Sequence, residues 1–258
     1  MRFLLILFFI VIPFSLNAKS LVNLKAEIGI FLPEMKGTIT NTQGSSDFKD
    51  DYQYEKAKAS FFSLDLDINR DYIPSLYISY LNMKTNQDSS LSSSARVADG
   101  DFNASVSTYI DYSIINTTIY KDFMRKGAIK TIFGSHFYTG DLELDIGVNI
   151  KAVKWNFEIK DKVDLTKTSS WIDAGLIVPI PYLGIKYYLY DLSLYTTISA
   201  LSLSEAKLMS YEVGLDYRVV NSIYLSGVYL YERFEAVEED DTIGFTIEGY
   251  KFSFKYIF

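Results

Sequence analysis

The stretch Tyr250-Lys251-Phe252-Ser253-Phe254-Lys255-Tyr256-Ile257-Phe258 puts Tyr250, Phe252, Phe254, Tyr256 and Phe258 in one alternating phase and Lys251, Ser253 and Lys255 in the other. Successive side chains on a β-strand point to opposite faces. The stretch therefore reads as a strand with one aromatic face and one polar, basic face. The same period recurs upstream. Leu24, Ala26, Ile28, Ile30 and Leu32 alternate with Lys25, Glu27, Gly29 and Phe31. Leu142, Leu144, Ile146, Val148 and Ile150 alternate with Glu143, Asp145, Gly147, Asn149 and Lys151. Met209, Tyr211, Val213, Leu215 and Tyr217 alternate with Ser210, Glu212, Gly214, Asp216 and Arg218, and Phe62–Ile68 follows the same rule. Few segments place apolar residues at the helical spacing i, i+3, i+4, i+7.

Less regular strands fill 74–84, 104–121, 181–190, 191–204, 222–235 and 243–258, which makes about ten in all, within bounds of eight to twelve. The faces of 222–235 stay unassigned, because apolar residues occupy both phases. The apolar phase slips at three places: after Ala152, around Pro179 and Pro181, and near Gly249. A one-residue slip inverts every side chain, so a strand that keeps its faces needs a bulge at each site. Long polar connections, Pro33–Lys56, Thr85–Phe102 and Ala236–Thr242, alternate with short links near 69–73, 190–191 and 219–222. The connection Lys121–Asp141 is long where a short turn is expected, and Ala128–Phe133 within it is a candidate extra hairpin.

Apolar residues make up 48 % of the 258, yet no uncharged run reaches the roughly 18 that a spanning helix needs. The longest, Phe3–Leu16, follows Arg2 and leads to Leu16-Asn17-Ala18-Lys19-Ser20, the layout of a signal peptide, residues 1–18, ahead of a single all-β domain, 19–258. Loss of Arg2 would take the formal charge from −7 to −8, which argues against a nucleic-acid partner. The absence of cysteine excludes disulfides, zinc–thiolate sites and thiol nucleophiles.

Alternation also suits a soluble β-sandwich, with the apolar phase turned inward. Strands of ten or more residues behind an export signal favour a closed antiparallel transmembrane barrel, with the apolar phase outward and the polar phase lining the lumen. Here the chain resembles the outer-membrane β-barrel proteins of Gram-negative bacteria, whose last strand commonly ends in Phe after alternating aromatic residues. Ile73-Pro74-Ser75-Leu76 and Pro179-Ile180-Pro181-Tyr182 are similar to segments of a poorly characterised group of small barrels, which brings no activity with it. The resemblance implies the outer membrane as location, with its lipid and lipopolysaccharide as surroundings. It also implies periplasmic chaperones and the barrel-assembly machinery as partners during biogenesis, with Tyr250, Phe252, Phe254, Tyr256 and Phe258 as the assembly signal.

The lumen is expected to carry Glu27, Asp65, Asp67, Asp111, Glu143, Asp145, Glu212 and Asp216 against Lys25, Lys151, Lys186, Arg218, Lys251 and Lys255. That near balance suggests a filled, salt-bridged interior; a narrow water-filled passage is the alternative. No catalytic residue, metal or cofactor is expected. The lone His136 adjoins Ser135, and neighbours on a strand point to opposite faces, poor geometry for proton transfer. Asp65 and Asp67 approach the short-turn end, away from the outer rim where barrel proteases work. Glu235 and Glu238-Glu239-Asp240-Asp241 could share Ca²⁺ or Mg²⁺ with lipopolysaccharide phosphates, although a solvated acidic loop is the favoured reading. The expectation is a non-catalytic envelope barrel, structural or a narrow channel for small solutes. A surface adhesin with functional loops and a lipid-modifying or proteolytic barrel are the alternatives.

Overall fold

A computed structural model describes residues 22–41, 44–47, 57–68, 70, 72–90, 95–97, 100–102, 105–124, 129–132, 135–138, 141–164, 168–202, 206–238 and 241–258. The signal segment, residues 1–18, lies outside them, as do 239–240 of the acidic loop. The strands are β1 (Val22–Asn41), β2 (Gly44–Asp47), β3 (Ala59–Ile68), β4 (Ser75–Ser90), β5 (Ala95–Val97), β6 (Gly100–Phe102), β7 (Ser105–Met124), β8 (Ile129–Ile132), β9 (Ser135–Tyr138), β10 (Leu142–Asp161), β11 (Thr168–Leu189), β12 (Leu192–Ser202), β13 (Ala206–Val220), β14 (Ile223–Glu238) and β15 (Asp241–Ile257).

Ten of these close into an antiparallel barrel, in the order β1-β3-β4-β7-β10-β11-β12-β13-β14-β15 and back to β1. The seam runs from Lys25 opposite Ile257 to Thr40 opposite Thr242, so no ladder edge is left unpaired along it. β2 folds onto the far end of β1, while β5–β6 and β8–β9 form separate hairpins. β8–β9 is the extra hairpin expected in the 121–141 connection, and it stays outside the barrel wall. Val22, Phe258 and the short links at 69–74, 190–191 and 221–222 share one end, which is the periplasmic end in barrels of this kind.

β7 and β10 each run for 20 residues, about twice what a tilted bilayer crossing needs. Much of what reads as polar loop is strand: Pro33–Asn41 belongs to β1, Thr85–Ser90 to β4, and Ala236–Glu238 and Asp241–Thr242 to the hairpin β14–β15. The reason lies in the phase slips. No bulge occurs at Ala152, at Pro179–Pro181 or at Gly249; the β10–β11 register runs through the prolines, where the β11–β12 pairing ends at Tyr182, and the registers at Ala152 and Gly249 run on without a break. Shifts in register fall elsewhere, between Trp155 and Phe157, Leu144 and Asp145, and Arg218 and Val220.

The faces invert because their surroundings do. On β10 the inward residues Asp145, Asn149 and Lys151 are followed inward by Val153, Trp155 and Ile159. On β15, Ser253, Lys251 and Gly249 are followed inward by Ile247 and Phe245, while Glu248 and Thr246 face out. On β11, Tyr182 and Ile180 point in and Pro181, Pro179 and Ile177 point out; the side chains of Ile172, Ala174 and Leu176 lie outside the described set. Gly249 sits at the inversion, where a Cβ would come within 2.2 Å of the Leu32 carbonyl oxygen.

Two zones result. Towards the termini the outer surface is an apolar belt that includes Ile28 (64 % exposed), Phe254 (65 %) and Val213 (53 %), and the interior is polar. Tyr211, Tyr229, Tyr231 and Tyr250 mark its upper border on β13, β14 and β15, with Tyr211 and Tyr231 stacked at 4.8 Å and Tyr229 edge-on to Tyr250 at 5.5 Å. Amphipathic rings at that level form the girdle expected where lipid meets water. Beyond it the strands follow the rule of a soluble protein, with polar residues outside and a hydrophobic core within.

Candidate functional site

The polar zone encloses a cavity of about 140 Å³, reaching from Lys25 and Glu143 near the short-turn end to Lys151 and Glu232. Tyr77, Tyr120, Tyr182 and Tyr195 line its wall. Glycines, two on neighbouring strands and one on the same strand, lie beside three of these tyrosines. Tyr195 lies opposite Gly214, and its ring is 2.7 Å from where a Cβ would stand. Tyr120 sits opposite Gly147, and the Tyr182 hydroxyl lies 2.8 Å from a Cβ built at Gly184.

Ion pairs tie the wall together. Lys25 Nζ donates to Asp65 at 2.9 Å and stands 3.8 Å from Asp67, and Tyr120 donates to Asp65 at 2.7 Å. Lys255 donates to both Asp216 oxygens at 2.8 and 2.9 Å, and Ser226 adds a third donor at 2.7 Å. Lys251 pairs with Glu212. Glu27 accepts from Ser63 and Ser253, and Glu143 from Tyr188 at 2.7 Å. Lys186 Nζ stands 5.4 Å from the centre of the Tyr188 ring. At the top of the cavity Lys151, 2 % exposed, pairs with Glu232, which also accepts from Tyr112 at 3.2 Å and Ser210 at 3.3 Å. Ionised groups taken out of bulk water need such partners, since an isolated one would be costly.

Above this collar the bore is filled by apolar side chains. Trp155 stacks at 4.1 Å on Phe245, Tyr112 meets both rings edge-on, and Phe234 lies 5.1 Å from Phe245. Phe31, Val106, Ile110 and Ile159 are wholly buried among them, with Met83 and Ile247 at 1 %. These residues come from β1, β4, β7, β10, β14 and β15, so the core spans the barrel rather than coating one wall. Outside the barrel and beyond the belt, Glu235 is held below the usual carboxylate range by its hydrogen bond from Lys207.

Of the charged residues expected to line the lumen, Lys25, Glu27, Asp65, Asp67, Glu143, Asp145, Lys151, Lys186, Glu212, Asp216, Lys251 and Lys255 lie on the inner face. Two sit elsewhere. Asp111 faces outward beyond the belt and pairs with exposed Lys84 at 2.7 Å, because β7 turns its even-numbered residues inward. Arg218 lies at the short-turn rim, bound to Asp191. Glu232 and the tyrosines were missed. Apolar residues in both phases obscured the face of Glu232, whereas Tyr182 and Tyr188 share the phase of Lys186 and could have been read as luminal.

Asp65 and Asp67, the carboxylates spaced as in a barrel protease, are engaged with Lys25 at the short-turn end. Ser135 and His136 lie on β9, opposite Ile132 and Thr131, and their side chains fall outside the described set. Asp122, Glu143 and Asp145 each bring one carboxylate oxygen within 4.8 Å of the others. Asp122 and Asp145 are register partners across β7–β10.

No protein-family model matches the chain, and no curated protein matches it. Solved structures do. The outer membrane protease OmpT of Escherichia coli superposes with a TM-score of 0.53 at 9 % identity, over 93 % of this chain and 98 % of that one. The translocator domain of the autotransporter NalP of Neisseria meningitidis gives 0.44 at 14 %, over 93 % and 89 %. Ail, the attachment invasion locus protein of Yersinia pestis, gives 0.36 at 8 %, over 90 % and 97 %. The likeness to OmpT concerns the fold: this chain is built as a small outer-membrane β-barrel that continues beyond its apolar belt.

Proposed function

We propose that the protein is a non-catalytic integral barrel of the Gram-negative outer membrane, sealed against solute passage. Its belt of outward apolar side chains, bordered by tyrosines, suits a bilayer, and closure of the sheet leaves no unpaired ladder in hydrocarbon. The observation that carries the sealed reading is the core around Trp155 and Phe245. Phe31, Ile110 and Ile159 in it expose nothing to a water-sized sphere, so no hydrated solute has a route beside them. The narrow-channel reading would need this core to open. The same core gives the strands a rigid base beyond the membrane, which supports a structural or loop-presenting role over transport.

Conductance of the purified protein in planar bilayers tests the reading. The wild-type barrel is expected to be electrically silent. Trp155→Ser combined with Phe245→Ser, which places hydroxyls where the two rings stack, is expected to give a measurable leak. Discrete ohmic steps from the wild type would overturn the sealed reading.

A further inference from the structure

We propose that the luminal cavity is a binding site for a short aliphatic diamine, a small organic dication with N–H donors at both ends. The first argument is an excess of acceptors. Asn149 is 7 % exposed and lines the cavity, and its Oδ1 has no hydrogen-bond partner in the protein. Asn116 Oδ1 and Asp145 Oδ1, on the same wall, are likewise without one, although Asn116 uses its Nδ2 on Ser79. Buried acceptors of this kind call for a donor-bearing occupant.

The second argument is charge. Six carboxylates line the cavity (Glu27, Asp65, Glu143, Asp145, Glu212 and Glu232) against four lysines. Three lysines are used in pairs, Lys25 with Asp65, Lys151 with Glu232 and Lys251 with Glu212. Glu27, Glu143 and Asp145 then have Lys186 as the one lining lysine left, since Lys255 beside Glu27 is held by Asp216; the lining keeps a formal excess of two negative charges, which a dication balances. The third argument is shape. Asn149 and Asp145 are four residues apart on one face of β10, roughly 13 Å between Cα atoms. Acceptors spread along a groove suit an elongated molecule. A divalent metal needs six or more oxygens converging within about 2.0–2.6 Å, and Asp122, Glu143 and Asp145 contribute one converging oxygen each. The tyrosine walls complete the fit, because ring faces attract ammonium groups and flank the methylene stem. With the far side closed by the apolar core, the ligand would arrive from the short-turn, periplasmic end.

The test is isothermal titration of the folded full chain, in neutral detergent free of lipopolysaccharide, with 1,4-diaminobutane as probe. Binding at one site per barrel is expected. Asn149→Leu and Asp145→Asn should each weaken it at least tenfold, with folding checked by circular dichroism. Glu143→Gln serves the same purpose if either variant fails to fold. The neutral isostere 1,4-butanediol should give no binding heat. The proposal is overturned by any of three results: no diamine binding, binding unchanged in the folded variants, or Mg²⁺ or Ca²⁺ binding that diamine cannot displace. A cavity holding water alone corresponds to the first. A silent bilayer recording has no bearing on these outcomes, so this proposal and the sealed reading fail separately.

Discussion

Replacing Lys151 by Met isolates the collar beneath the apolar core. Met keeps nearly the same length and removes only the ammonium. Glu232 would then keep its donors Tyr112 and Ser210 but lose its paired cation. Breaking one side of a buried pair costs about 3–5 kcal/mol. The two remaining donors argue for the lower end, about 3 kcal/mol. Glu232→Leu leaves Lys151 charged and 2 % exposed without its carboxylate, and also orphans the Tyr112 hydroxyl, so it should cost about 4–5 kcal/mol. The double variant removes both charges and loses only the Tyr112 and Ser210 bonds, about 1–2 kcal/mol. The sum of the singles thus exceeds the double by roughly 5–7 kcal/mol, far beyond additivity. Urea titration in phospholipid vesicles, read by circular dichroism, measures all four corners. A double variant as unstable as that sum would refute the pairing and with it the collar.

Three further outcomes can be measured in the same assay. Gly147→Ala should prevent folding, since its Cβ would fall 2.1 Å from the Ile119 carbonyl oxygen and 2.7 Å from Tyr120 Cα, whereas Gly227→Ala, with nothing within 4 Å, should be tolerated. Asp216→Asn removes the partner of buried Lys255 and should cost about 3 kcal/mol. Asp111→Asn breaks an exposed pair and should leave the urea midpoint within experimental scatter; a large loss there would return Asp111 to the lumen.

The alternation carried the strands and their approximate count, and with strand length and the export signal it led to the barrel and the inward placement of Lys25, Glu27 and Lys255. In the structure Glu27 and Lys255 face each other across the closing seam. What the period could not convey was the environment on each side of the sheet. Val153, Trp155 and Ile159 looked like an apolar phase displaced by a bulge, because a single rule was applied along the whole strand. Glu34 and Lys36 looked like loop for the same reason, although Met35 between them is buried. Asp111 was misplaced by the same rule, being a polar residue on a strand that had already left the belt. The tyrosines were hidden differently. Tyr is amphipathic, so Tyr77 and Tyr195 in the lumen and Tyr217 and Tyr250 on the belt carry the same letter; Gly214 opposite Tyr195 marks an interior site, whereas Tyr77 stands opposite Asp65 and Thr118.

The three slips therefore measure a height. From Phe258 to Tyr250 the outward aromatic face of β15 spans eight steps, about 26 Å along the strand and ~20 Å after a tilt of about 40°. That approaches the roughly 25 Å band of an outer-membrane barrel. Across the seam Leu32 lies opposite Tyr250 and Glu34 opposite Glu248, so β1 and β15 leave the belt at one level. On the far wall Lys151 lies opposite Val178, and β10 turns apolar inward just beyond, at Val153 and Trp155. The apolar core thus begins where the outer surface meets water. It is held by burial from water, as in a soluble protein, whereas the belt gains nothing from that effect while it faces lipid. A barrel that needed only to span would end at Tyr250. The additional strand length of β7 and β10 carries the apolar core beyond the belt.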